Sequence, residues 1–250
     1  MRTIVVISDT QLPYHHSKAL NAVTRFIGET NPSEVIQIGD LMDFPQPSRW
    51  NKGTKGEFEG SVLKDAERGK EWLADLRDLY DGPMTVLEGN HDLRPRVYLD
   101  KNAPALAESH AFDLDVLLDF DGFGIQLVKD YYDFAPGWTA THGHLGTLSR
   151  IPGSTAMGQA RATGKSVVCG HTHRLGLQHQ TTGYKGRTES RWGFEVGHLM
   201  DLKKASYLKS GAANWAMGFG VFHIDGHKVI PTPIPVRNDG SFIYAGETYK

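Results

Sequence analysis

The sequence predicts an α/β fold built on parallel strands, and three observations predict it. Ile4–Ile7 is apolar throughout, and Val35–Ile38 and Met84–Leu87 are short runs broken only by Gln37 and Thr85, all three reading as buried strands. Between them lie segments whose apolar residues recur at helical spacing. Each apolar run also ends on a polar motif: Asp9-Thr10-Gln11, Gly39-Asp40-Leu41-Met42-Asp43 and Gly89-Asn90-His91-Asp92. In an α/β fold parallel strands end at one edge, so groups far apart in sequence meet there.

The opening run of residues 1–7 is too short, and too promptly followed by Asp9, for a signal peptide; it reads as the first strand. Leu20, Val23, Phe26 and Ile27 share one helical stripe that ends near Asn31-Pro32, because proline disfavours helix at the residue before it. Val35–Ile38 then completes a βαβ unit, whose crossover is right-handed. A polar loop, residues 45–56, carries Arg49, Trp50, Lys52 and Lys55. Phe58, Val62, Ala66, Gly69, Leu73, Leu76 and Tyr80 mark a long amphipathic helix closed by Asp81-Gly82-Pro83. After the strand Met84–Leu87, residues 93–119 read as mostly helical, with breaks near Pro95 and Pro104. Gly124–Lys129 and Trp138–Thr141 read as strands, the second delivering His142-Gly143-His144. Ala156–Thr163 reads as a short helix, and Ser166–Cys169 as a strand leading to Gly170-His171-Thr172-His173. Beyond it Trp192–Val196, Trp215–Ile224 and Lys228–Pro235 alternate with Gly and Pro, as antiparallel strands do. No repeat or linker divides the chain, and residues 1–250 are expected to form a single domain.

Composition excludes several classes. With 39% apolar and 22% charged residues in 250, the chain has an ordinary globular balance. No run approaches the ~18–20 continuous apolar residues of a membrane helix, so no membrane partner is expected. The one cysteine, Cys169, rules out an internal disulfide, lies in an apolar run as an inert thiol would, and fits a reducing, cytoplasmic setting. A formal net charge of −2 lacks the basic excess of a dedicated nucleic-acid binder. Nucleotides and other small phosphoesters remain open as substrates. No feature specifies an oligomer.

Hydrolysing a phosphoester builds charge on an already anionic centre, and two divalent ions ~3.5–4 Å apart neutralise it. Such a site needs a bridging carboxylate plus neutral imidazole and amide ligands that leave positions open. Asp9, Asp40, Asn90, His142, His171 and His173 are a matching set of donors. Singly, each motif has an ordinary reading: Gly-Asp after a strand is a turn, and His-x-His is a surface pair. Together, each at a strand's end, they point to one site. In this order, D-x-(H)…GDxxD…GNHD…HGH…GHTH, they resemble the motifs of the calcineurin-like metallophosphoesterase superfamily, over roughly residues 1–175.

The resemblance implies a four-layer αββα sandwich, two mixed β-sheets flanked by helices, with the metal site at the strands' C-terminal ends. It implies that Asp9, Asp40 and His173 bind a first metal together with the residue at position 11. Asp40 would bridge to a second metal, completed by Asn90, His142 and His171. His91 would stand beside the scissile phosphate, stabilising the transition state or protonating the leaving oxygen. Asp92 would accept from the other imidazole nitrogen of His91 and raise its basicity. Asp43 is expected to support the site or cap its loop rather than bind.

Where the family's first motif usually has His, this chain has Gln11. Its carboxamide oxygen is neutral like imidazole but a harder, weaker donor, which shifts preference from zinc. Two divalent ions are expected, manganese first, with iron, magnesium, nickel or zinc as alternatives. His15 or His16 could instead supply the missing imidazole, although Leu12-Pro13-Tyr14 between them is stiff. Both are placed rather at the cleft mouth as substrate contacts, with Arg49 and His144. Arg49, Trp50, Lys52 and Lys55 either face a phosphate or are solvated loop charge, and Arg174 is open in the same way. His110, His179, His198, His223 and His227 lie in no matching motif and read as ordinary surface or half-buried residues.

The resemblance therefore implies a phosphoesterase, a phosphodiesterase by analogy with GNHD-bearing members. It would hydrolyse a nucleotide-type or other small phosphoester by in-line attack of a hydroxide held between the ions. The alternative is a DNA exo- or endonuclease like the family's double-strand-break repair nucleases. Against it, only 77 residues (250 minus 173) follow His173, little for a DNA-capping domain. A third reading is a non-catalytic scaffold, which need not have kept His91.

Overall fold

The computed structural model describes residues 1–204 and 213–250. In chain order its elements are β1 (Arg2–Ile7), α1 (Ser17–Thr30), β2 (Glu34–Gln37), α2 (Lys55–Phe58), α3 (Val62–Leu79), β3 (Met84–Leu87), α4 (Arg94–Asn102), α5 (Leu114–Leu117) and β4 (Ile125–Val128). There follow β5 (Tyr132–Ala135), β6 (Trp138–Thr141), α6 (Ser154–Thr163), β7 (Ser166–Cys169), β8 (Leu175–Tyr184) and β9 (Arg187–Val196). Strands β10 (Gly218–Asp225), β11 (Lys228–Pro235), β12 (Phe242–Tyr244) and β13 (Glu247–Tyr249) close the chain.

Alternation along the central strands shows the layering directly, because successive side chains leave a strand on opposite faces. In β1, Val5 and Ile7 join one core with α1 and α3, while Ile4 and Val6 join a second core. That second core also takes Trp138 and Ala140 of β6, Val168 of β7 and Phe194 of β9, so it lies between two sheets. On β7 the neighbours of Val168, Val167 and Cys169, face the other way onto Ala156, Met157 and Ala160 of α6. Helices, sheet, sheet and helix are thus four layers. Burial pushes the Cys169 thiol pKa well up, as an inert core residue requires.

Both sheets are mixed. The first has the order β11-β10-β1-β2-β3-β4. Strands β1 to β4 run parallel, and β10 and β11 extend the sheet antiparallel beyond β1. The second has the order β5-β6-β7-β9-β8, with β6, β7 and β9 parallel. Expecting β9 in an antiparallel set holds for its pairing with β8 but not with β7.

Two other expectations are corrected, and one strand is added. The long helix begins at Val62, not Phe58: Ser61 caps it by accepting from the Lys64 amide, and Phe58 belongs to the separate α2, where it is exposed. Pro95 does not break a helix; it sits in the first turn of α4, where the missing amide has no partner to lose. The polar β8 did not read as a strand because it is a half-exposed edge strand with little apolar alternation. Among the described residues no helix is long and apolar enough to cross a membrane.

Helix α6 lies so close to β9 that a Cβ added at Gly193 would run into the backbone amide of Met157. Gly193→Ala is therefore expected to lower stability by about 1–3 kcal/mol through overpacking, read as a fall in Tm. A Tm equal to that of the parent would show that α6 does not pack at this distance.

Candidate metal centre

Strands β1, β2 and β3 of one sheet and β6 and β7 of the other deliver their following residues to one edge. Asp9 and Gln11 follow β1, Asp40 follows β2, Asn90 follows β3, His142 follows β6, and His171 and His173 follow β7. Backbone hydrogen bonds lace the turns together: the Asp9 amide donates to Gly39 O at 3.1 Å and the Gln11 amide to Asp40 O at 3.0 Å. Leu199, after β9, donates its amide to Asp9 O at 3.1 Å. Gly89 passes so close to the Asp40 amide that no side chain would fit there.

The local backbone is strained at five of the candidate ligands. Asp9 (φ 49°), Gln11 (φ 49°), Asp40 (φ 52°), His171 (φ 66°) and His173 (φ 56°) are all in the left-handed region. A non-glycine residue there costs about 1–2 kcal/mol, so five together mark a geometry held for a purpose other than stability.

Two groups of donors result. In the first, Asp9 Oδ1 lies 3.0 Å from His173 Nε2, and Gln11 Nε2 lies 3.3 Å from the same nitrogen. All three residues are buried. Asp9 Oδ2 is occupied, accepting from Ser8 Oγ at 2.6 Å and the His171 amide at 2.9 Å, which leaves Oδ1 for the site. Gln11 Oε1 and His173 Nδ1 are buried without hydrogen-bond partners among the described residues. Turning the Gln11 carboxamide over would exchange its nitrogen and oxygen, presenting Oε1 toward His173 Nε2 and an ion.

In the second group, ligand atoms of Asp40, His142 and His171 lie within 4.8 Å of one another. His142 Nδ1 is 2.9 Å from Ile38 O and must donate to it, so in the neutral ring Nε2 carries a lone pair. That nitrogen faces Asp40 Oδ1 at 3.3 Å and Asn90 Oδ1 at 3.2 Å. Three lone pairs then converge on one point, an arrangement that a proton or a divalent cation resolves. The residues present therefore fit divalent ions.

The electrostatics agree. Burial opposes ionisation of Asp40, yet His142 and His91 outweigh it and hold the carboxyl pKa well below its usual value. Asp9 is likewise lowered, with His173 overcoming burial. Burial also works against a charge on His142, but Asp40 and a hydrogen bond to it push its pKa up to about 9. His171 goes the other way: burial, then the charge on His142, pulls it down to about 4 and leaves it a neutral donor.

One sequence expectation is overturned. Asp92 is not the partner of His91: its buried carboxylate accepts from the Gly89 and Met42 amides at 2.8 Å each, and from Leu41 N at 3.4 Å. It turns away from the imidazole and clamps the β2 turn to the β3 turn. Burial and then the Asp40 charge raise its pKa to about 7. The partner of His91 is Asp43, whose Oδ1 takes the Nδ1 proton at 2.7 Å. Asp43 thus has the supporting place the sequence suggested, and the order of roles within Asp43 and Asp92 is reversed. Arg94 donates from Nη2 to His91 Nε2 at 2.9 Å and from Nη1 to Asp43 O at 2.6 Å.

The remaining candidates scatter. His16 caps α1, accepting from the Ala19 amide at 3.2 Å, and so has a structural task. His15 Nε2 is 3.4 Å from Ser17 Oγ. His144 does approach, with its ring 5.3 Å from that of His142 and 6.1 Å from that of His171. Arg49 stacks on Trp50 at 4.7 Å and lines a cleft that opens at Asn90 and His91.

Sequence reasoning missed two residues. Arg94 lies three positions beyond His91, on the first turn of α4, a spacing that could have revealed it. His198, expected at the surface or half-buried, is fully buried, its ring 5.1 Å from that of His173 and the Met200 backbone within hydrogen-bonding reach. Burial and the neighbouring His173 pull its pKa down to about 3. Its signal was Gly197-His198 after the apolar end of β9, the same glycine-punctuated strand end as at Gly170-His171.

The family model described as calcineurin-like phosphoesterase matches residues 2–175. Gene 54 protein of Mycobacterium phage D29 is 49% identical, over 100% of this chain and 99% of that protein. Gene 54 protein of Mycobacterium phage L5 is 48% identical with the same coverage. Among solved structures, Vps29 of Chaetomium thermophilum aligns with a TM-score of 0.52 at 10% identity, over 100% of this chain and 98% of that one. Vacuolar Protein Sorting 29 of Cryptosporidium parvum gives 0.51 at 14%, over 99% and 97%. At such identities the two structures share the fold and nothing further is carried from them.

Two outcomes are expected from this geometry. His142 is protonated below about pH 9 in the ion-free protein, so divalent-ion binding at pH 7.5 should expel that proton. Calorimetry in buffers of differing ionisation enthalpy should then find about one proton released, with affinity rising up to pH 9; no release would remove His142 from the ion's ligands. At His171 the left-handed backbone favours glycine. His171→Gly should therefore be about 1 kcal/mol more stable than His171→Ala in urea unfolding. The reverse order would mean the turn relaxes once the imidazole is gone.

Proposed function

The chain belongs to the calcineurin-like phosphoesterase family, and from that premise we propose that it is a dinuclear metal-dependent phosphoesterase acting on phosphodiesters. The observation that carries this reading is the convergence of Asp9, Gln11 and His173 beside Asp40, Asn90, His142 and His171, with buried lone pairs facing one another. Asp9, Gln11, Asp40 and His173 would hold one ion, and Asp40, Asn90, His142 and His171 the other. When bound, two divalent ions supply Lewis acidity toward the phosphate and lower the pKa of a coordinated water.

The chain's own residues do the rest. Asp92 holds the turns that carry Asp40 and Asn90 at a fixed separation. Ile38 O fixes the tautomer and tilt of His142. Burial opposes a charge on His91, but Asp40 and the Asp43 hydrogen bond raise its pKa. An incoming phosphate competes for Arg94, and drawing the guanidinium off His91 Nε2 frees that atom to carry a proton to the leaving oxygen. Such assistance matters most for a poor alkoxide leaving group, which favours diesters. Gln11, a hard oxygen donor, favours manganese over zinc at its ion.

The scaffold reading is disfavoured by strain, since five left-handed ligand positions would be costly to keep without use. One domain over residues 1–250 is supported by β10 and β11, which extend the sheet that begins with β1.

The test is a hydrolysis panel after manganese reconstitution: p-nitrophenyl phosphate, bis-p-nitrophenyl phosphate, cyclic nucleotides and linear DNA. Diester hydrolysis should exceed monoester hydrolysis, and Asp40→Asn should lower kcat/KM by about 100-fold or more. Undiminished activity in Asp40→Asn would sink the two-ion mechanism. A strong preference for linear DNA over the small diester would favour the nuclease alternative.

A further inference from the structure

Beside Asn90 and His91 the surface opens into a cleft of about 520 Å³, within the ~300–1,000 Å³ range of small-ligand sites. One wall is the face of α4 that carries Arg94, Tyr98 and Lys101, four and seven positions apart and so on one side of the helix. The other wall is the loop after Asp43, with Arg49, Trp50 and Lys52. Four of these six residues are cations, and no carboxylate lines the cleft, although the chain carries a net charge of −2. The basic character is therefore local to this place.

The walls are tied to each other. Lys52 Nζ donates to Asn102 Oδ1 at 3.3 Å, and Tyr98 donates its hydroxyl to Glu57 Oε1 at 2.8 Å. Trp50 is 75% exposed, with the Arg49 guanidinium 4.7 Å from its ring centroid. An indole held open beside cations offers a stacking face to a planar ring, and such stacking tolerates any base. Arg94 touches His91, so it stands at the scissile phosphate. Lys101 is seven residues on, about 10 Å along the helix, far enough to meet a second phosphate rather than crowd the first.

We propose that this cleft is the subsite for the nucleotide flanking the scissile bond, with its base on Trp50 and its second phosphate on Lys101 and Arg49. The substrate class is then a nucleotide-type phosphodiester carrying at least two phosphates. The inference rests on the phosphoesterase reading and adds what that reading lacks, a reason for one diester to be taken over another.

The experiment compares thymidylyl-thymidine with its 5′- and 3′-phosphorylated forms on the manganese enzyme, with bis-p-nitrophenyl phosphate alongside. One phosphorylated form should show a KM about tenfold below that of the plain dinucleotide, an advantage that shrinks as salt rises. Lys101→Ala should bring the ratio of KM values to about one, and Trp50→Ala should raise KM for all three dinucleotides. Lys165→Ala, at the far end of β7, should leave the ratio as it is. Equal KM values for the three dinucleotides, or an advantage that survives Lys101→Ala, would overturn the subsite while hydrolysis of bis-p-nitrophenyl phosphate leaves the phosphoesterase standing. Failure to hydrolyse any of these substrates would overturn the phosphoesterase reading and the subsite with it.

Discussion

Two carboxylates, Asp9 and Asp40, are fully or almost fully buried at one sheet edge, and the architecture around them follows from that constraint. Taking a carboxylate out of water costs several kcal/mol even after relaxation, and a pair of like charges adds to it. The compensation comes from His173 and His142, one imidazole against each carboxylate. Neither pairing uses both partners fully. Gln11 Oε1 is left over on one side, and Asn90 Oδ1 faces a nitrogen already claimed on the other. A site that satisfied itself would have closed these gaps with hydrogen bonds. This one holds them open, which is what cations require.

Holding them open falls to groups that never touch an ion. Five strand-end residues are left-handed, so that Asp9, Gln11, Asp40, His171 and His173 leave their strands rather than continuing along the pleat. Ser8 and the His171 amide occupy Asp9 Oδ2, and the His91 amide takes Asp40 Oδ1. Asp92 bonds three amides of two different turns, so the spacing between Asp40 and Asn90 is set by one buried carboxylate. The strain at the turns and the rigidity of these bonds belong together: a strained ligand stays in place only where its surroundings over-determine it.

What was legible in the sequence is what has a local signature. Largely apolar strands announced the buried parallel core, and glycine or a carboxylate straight after them announced the polar groups that gather at one sheet edge. What was not legible depended on direction in space. Asp43 and Asp92 are both near His91, and only the turn decides which carboxylate meets the ring; adjacency in sequence favoured the wrong one. Strand β8 is polar because it is an edge, so its pairing with β9 rather than its own pattern makes it a strand. His198 had the right strand-end signature, but its neighbours His173 and Trp215 come together only in the fold.

The two donor groups are unlike, and the difference follows from their neighbours. The second group includes a histidine that takes a proton readily, at a pKa of about 9, so charge there is balanced whether or not an ion is present. The first is set among different neighbours. His173 is packed against Trp215 at 4.3 Å and against His198, which burial keeps neutral, and its polar neighbours are Asp9 and the uncharged Gln11. With an apolar wall and a weak oxygen donor, the first position should lose an ion sooner than the second. The cleft between α4 and the loop after Asp43 opens at Asn90 and His91, so a phosphate drawn into it would arrive on the side of the second position. Recognition at the cleft and retention of an ion there would then be one linked equilibrium, each raising the affinity for the other.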